Sequence, residues 1–155
     1  MPFQIEGLDP ADFAPLFTLS DSALQRMNAR RVVVDAHPGT PCRISLTDAA
    51  IGETVLLINY EHQPAHTPFQ SRHAIFVRAG IAQARPEVGT VPPSLLTRLI
   101  SLRGFDVDDM MIAADVVPGH DLAAALAEVF ENADVSYVHL HYAKQGCFAA
   151  RARRA

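Results

Sequence analysis

Two cysteines, seven histidines and a basic set made almost wholly of arginine are the residues through which this chain could do chemistry. Of its 13 basic residues only Lys144 is lysine. Cys42 is followed by Arg43 and preceded by His37, and a nearby cation lowers a thiol's pKa, so a thiol nucleophile is one reading of that segment. The spacing matches no nucleophile signature. Free cysteine is among the most buried residue types, so an inert apolar filling is the plainer use of both Cys42 and Cys147. His139 and His141, at i and i+2 on a strand, point the same way, and Cys147 on a paired strand could add a third zinc ligand. With no CxxC or HExxH pattern, the simpler use of the two histidines is the polar side of a half-buried sheet. No cofactor is therefore predicted, with zinc a minor variant. Pro64 inside His62-x-x-x-His66 opposes a helical ligand pair, and Asp106-Val107-Asp108-Asp109 lacks the spacing of a calcium loop and reads as a solvated turn.

Arginine offers a different chemistry. Arg43, Arg72, Arg78 and Arg151 fall at or beside expected strand ends, where a planar guanidinium can hold a carboxylate or phosphate with two hydrogen bonds. A small anionic ligand is the partner this pattern suggests, although arginine in place of lysine also follows from coding composition. No Gly-x-Ser-x-Gly elbow and no glycine-rich phosphate loop occurs, so acyl hydrolysis and P-loop chemistry have nothing to rest on.

The elements that must position these residues come from a 155-residue chain that is 49% hydrophobic and 19% charged, enough to bury one core. We read it as a single domain, 1–155. A net charge of −4 disfavours nucleic acid as a partner. No apolar run can span a bilayer, and the first residues lack an export signal, so the expected location is the cytoplasm with both thiols free. Ser20 caps a short helix over 21–28, and a strand over 31–35 follows. His37-Pro38-Gly39-Thr40-Pro41 is a stiff turn that presents Cys42 and Arg43. Strands are expected at 54–60 and 74–79, with His62, His66 and His73 in the loop between them. Pro92-Pro93-Ser94 opens a helical pattern carrying Leu95, Leu96, Leu99 and Ile100, ending at Arg103-Gly104. A strand over 110–117 and a helix from Asp121 carrying Leu122, Leu126, Val129 and Phe130 come next.

Residues 135–142 and 147–152 form a C-terminal hairpin around Ala143-Lys144-Gln145-Gly146. A two-residue loop would set Phe148 opposite His141. A turn with Gly146 left-handed in a bulge would instead set Tyr142 opposite Phe148 and Leu140 opposite Ala150. Burial favours the second register, which puts Val138, Leu140, Tyr142, Phe148 and Ala150 on one apolar face and His139, His141, Cys147 and Arg151 on the other. The expected class is α+β, with a mixed or mainly antiparallel sheet covered by helices on one face.

Pro38-Gly39-Thr40-Pro41-Cys42-Arg43, Gly52-Glu53 leading into Val55-Leu56-Leu57, Ile75-Phe76-Val77, and His139-Leu140-His141 with Gly146-Cys147-Phe148-Ala149-Ala150-Arg151 together resemble a family of bacterial proteins catalogued as domain of unknown function 1203. The family's pattern has Gly-Pro before the Ile-Phe-Val block, where this chain has His73-Ala74. The resemblance implies membership and no catalytic residue. Its two most specific blocks hold the cysteines, which suggests one cleft lined by Cys42, Arg43, His139, His141, Cys147 and Arg151. The function expected from that cleft is binding of, or action on, a small anionic molecule. The alternative is a non-enzymatic interaction module or a homodimer built on a sheet edge or apolar patch.

Overall fold

The structure is a computed structural model describing all 155 residues. Strand β1 (Phe3–Glu6) leads through two short 3-10 turns to helix α1 (Asp21–Arg26), where the Ser20 side chain accepts from the Ala23 amide as expected of a cap. Strands β2 (Ala29–Val33), β3 (Thr54–Gln63) and β4 (Ser71–Val77) form a three-stranded sheet in that order. Helix α2 (Pro93–Leu96), strands β5 (Leu99–Phe105) and β6 (Met111–Pro118), helix α3 (Leu122–Val129) and strands β7 (Tyr137–Tyr142) and β8 (Phe148–Arg154) complete the chain. A five-stranded sheet runs β1-β8-β7-β5-β6.

The class is α+β, and every pairing between strands is antiparallel. Since β6 and β7 both run against β5 and flank it, α3 carries the chain across β5 in a split β-α-β crossover. Leu122, Leu126 and Phe130 recur every four residues, which puts them on one stripe of α3. That stripe packs with Ile5, Ile100, Leu102, Val138, Leu140, Ala150 and Ala152 on one face of the large sheet. The second sheet lies against the other face, where Phe148 joins a core with Leu56, Ile58, Ile75 and Val77.

Two expectations are corrected. The helical pattern from Pro93 stops at Leu96, and residues 99–105 form an interior strand. Ile100, Leu102 and Gly104 are buried while Leu99, Ser101 and Arg103 are less so, which is the period of two of a sheet. Gly104 is therefore no helix cap: a Cβ there would lie 3.1 Å from Ala113 Cβ and 3.4 Å from Val135 Cγ1.

The hairpin register is a hybrid of the two expected. Leu140 faces Ala150 and His139 faces Arg151, yet His141 faces Phe148, because the register shifts between Leu140 and His141. The extra residue is Ala149, so the bulge sits inside β8 and not at the turn. Gly146, at φ 81, closes the turn by donating to the Tyr142 carbonyl at 2.7 Å. The displaced bulge exchanges two side chains. Phe148 joins the histidine face, and Cys147 joins Tyr142 on the α3 face.

Candidate functional site

Three cross-strand rows build the site on the sheet face turned toward the second sheet. Arg103, His139 and Arg151 are direct neighbours on β5, β7 and β8. One row to each side lie Ser101, His141 and Phe148, and Phe105, Tyr137 and Arg153. Strand β3 brings His62 and Gln63 over these rows. Consecutive residues of a regular strand point opposite ways, yet both are buried, because the β3–β4 pairing slips between Tyr60 and Gln63. His62 stacks on Phe148 with ring centroids 5.6 Å apart and meets His141 edge-on at 4.9 Å. Its centroid lies 6.2 Å from that of His139.

Burial is the main reason all three imidazoles are neutral. The pKa of His62 falls to about 4, with Arg103 and His73 adding to the effect of burial. That of His139 falls to about 3, with His141, His62, Arg151 and Arg103 also opposing its charge. That of His141 falls to about 3 through burial, although its Nδ1 lies 3.0 Å from the Gly146 carbonyl. A carbonyl only accepts, so Nδ1 carries the His141 proton. The Nδ1 atoms of His62 and His139 are buried without a hydrogen-bond partner.

Tyr137 organises the open side. Its hydroxyl donates to Asp109 Oδ1 at 2.6 Å and accepts from Gln63 Nε2 at 2.9 Å. Burial, with the Asp109 carboxylate, pushes its pKa up to about 12. The Arg151 guanidinium lies over the same ring, 4.4 Å from the centroid. Asp109 adopts φ 61, a left-handed conformation that aspartate tolerates better than most residues. A shallow depression of about 320 Å³ is lined by His62, Gln63, Asp109, Tyr137, His139 and Arg151, with Pro64 and Ala65 at its edge. No three His, Cys, Asp or Glu side chains form a group able to hold a metal ion.

The six residues expected in one cleft divide between the two faces. His139 and Arg151 line the depression, and His141 lies beneath it, 1% exposed. Arg43 and Cys147 do meet, on the opposite face. The 2%-exposed Arg43 donates from Nε to the Phe148 carbonyl at 2.8 Å, from Nη1 to the Pro41 carbonyl at 2.6 Å and from Nη2 to Cys147 Sγ at 3.0 Å. It also lies over Tyr142, 4.9 Å from the ring centroid. Cys42 packs in the core of the second sheet, and both thiols are free and buried. Of the other expected anion holders, Arg72 pairs with Glu61 and Arg78 with Glu53.

Sequence reasoning missed His62, Gln63, Arg103, Asp109 and Tyr137. A signal for His62 existed, since Leu56, Ile58, Tyr60 and His62 continue one alternation past the expected end of the strand. Arg103 was hidden by the helical reading of its segment, and Asp109 by the look of an ordinary acidic turn.

Fold and site define a two-sheet α+β protein with a histidine- and arginine-lined polar depression on one sheet face. The chain belongs to the DUF1203 family of proteins of unknown function, whose model matches residues 39–154. The matched span covers every residue of the depression. Neither the curated proteins nor the solved structures gave a match.

Proposed function

We propose that this protein binds a small anionic molecule in the depression on the His139 face. One observation carries the reading: Arg151, which lines the depression, and Arg103, which lies outside its lining on the other side of His139, are the direct cross-strand neighbours of that histidine, and neither is paired with a carboxylate. Glu6 lies directly opposite Arg151 on β1, yet its carboxylate pairs with Arg153. Arg151 is left to the Tyr137 ring, and Arg103 donates only to Ser101 Oγ, at 3.2 Å. Burial is the largest cause of the lowered histidine pKa values, and Arg103 and Arg151, which add to it at His139, are charges an anion would neutralise. Imidazoles with pKa values of about 3 to 4 are poorly matched to proton transfer near neutrality, which favours binding over acid–base catalysis. Neutral His139 and His62 would contribute hydrogen bonds and not charge.

The test is thermal unfolding with inorganic phosphate, acetate and succinate, on the parent and on Arg103→Ala and Arg151→Ala. At least one anion raises the parent's midpoint by several degrees at millimolar concentration, and each variant loses most of that shift. Equal shifts in parent and variants would overturn the assignment to this site.

A second reading, an interaction module or homodimer, rests on Ile112 and Val116 exposed along the edge strand β6 with Leu99 beside them on β5. Silence toward every anion, together with a dimer mass in sedimentation, would favour it over the first.

A further inference from the structure

Resting on that reading, a finer property of the depression concerns its second charge. Asp109 and Arg151 both line it, and neither forms an ion pair. The Tyr137 side chain stands between them, with the guanidinium over the ring and the carboxylate at the hydroxyl end. Elsewhere even exposed charges of opposite sign meet, as Arg31 does Asp21 at 2.6 Å. The hydrogen bond from Tyr137 occupies Asp109 Oδ1, and the backbone holds the carboxylate at this place through a left-handed residue. His139, 5% exposed, and His62, 9% exposed, line the same depression, and their Nδ1 atoms are buried without partners. A simple anion would answer Arg151 and leave Asp109 facing a like charge. A ligand with separated charges of both signs would answer both.

We infer that the depression takes a small zwitterion, its carboxylate held by Arg151 and its ammonium group by Asp109. The ligand class is therefore the free amino acids, in the broad sense that includes ω-amino acids. Tyr137 keeps the two protein charges from neutralising each other, and the histidines are neutral groups lining the same depression.

Matched probes test this. L-Alanine and 4-aminobutyrate are titrated into the full-length protein beside propionate and butyrate, which lack the ammonium group, and n-butylamine, which lacks the carboxylate. Binding is read from amide chemical shifts in two-dimensional NMR. The expected result is that at least one zwitterion binds tenfold or more tightly than its single-charge analogues. Asp109→Asn, which keeps an acceptor for the Tyr137 hydroxyl and tolerates the same backbone, erases that advantage: the zwitterions lose affinity while propionate and butyrate, no longer facing a like charge, bind more tightly than they do the parent. If propionate and butyrate bind the parent as tightly as the zwitterions, the role of Asp109 is overturned while anion binding stands. If neither these probes nor phosphate shifts any resonance, the anion reading fails too. An unchanged zwitterion preference in a folded Asp109→Asn protein, judged by its spectrum, would also overturn the inference.

Discussion

Arg43 shows how one side chain can be chemically conspicuous and yet serve the frame. Burial pushes its pKa down, while Tyr142, Cys147 and Cys42 around it pull the other way, and Nε, Nη1 and Nη2 all donate within the protein. It joins the Pro41 turn to the start of β8, two segments that are far apart in the chain. Arg43→Ala would leave two carbonyl oxygens and a thiol unpaired beside a cavity, and we expect it to cost about 3–5 kcal/mol. Arg43→Lys recovers less than half, because one ammonium cannot span the three acceptors that a planar fork reaches. Urea unfolding of both variants checks this, and a loss under about 1 kcal/mol for the alanine variant would remove Arg43 from the frame. Arg103 and Arg151 are the contrasting case, lying on the sheet face with no carboxylate partner.

At the level of elements, much of the fold was legible because hydrophobic period and turn chemistry are local. The cap at Ser20, the α3 stripe, the strands around Val55 and Ile75, and the C-terminal hairpin follow from residues a few positions apart. The two misjudged features depend on tertiary partners. Pro93 to Ile100 satisfies a helical spacing, but Ile100 and Leu102 gain more by lying between β7 and β6 than a short exposed helix could give them. Ala149 carries no local mark of a bulge. It is set by what Phe148 must cover, and that single extra residue separated Cys147 from the histidines. Gly104 registers the tight fit of β5: Gly104→Val would press its side chain into Ala113 and Val135, at an expected cost of about 1–3 kcal/mol. Adding Ala113→Gly should return part of that loss, and additive costs in equilibrium unfolding would sink the assignment.

For the molecule as a whole, the neutral histidine cluster ties stability to pH. An imidazole in the unfolded chain has a pKa near 6.5, whereas His62, His139 and His141 titrate in the fold at about 4, 3 and 3. The unfolded chain thus binds more protons below about pH 6.5, so their stabilising effect is complete above that value and is lost as the pH falls toward 3. With all three contributing, the slope between those limits approaches about 4 kcal/mol per pH unit. His141→Gln should lower it by about one third, and a variant with the parent's slope in pH-dependent urea unfolding would exclude His141 from the effect. No helix is long and apolar enough to cross a membrane. The pairing of β1 with β8 has a different consequence. Glu6 and Arg153, joined across that pair, are 147 residues apart in the chain. Loops of that span close slowly, and topologies dominated by such contacts fold in milliseconds to seconds. During synthesis β1 emerges before β8, the strand that also brings Arg151, so the β1–β8 edge and the Arg103, His139, Arg151 row can close only after β8 has emerged.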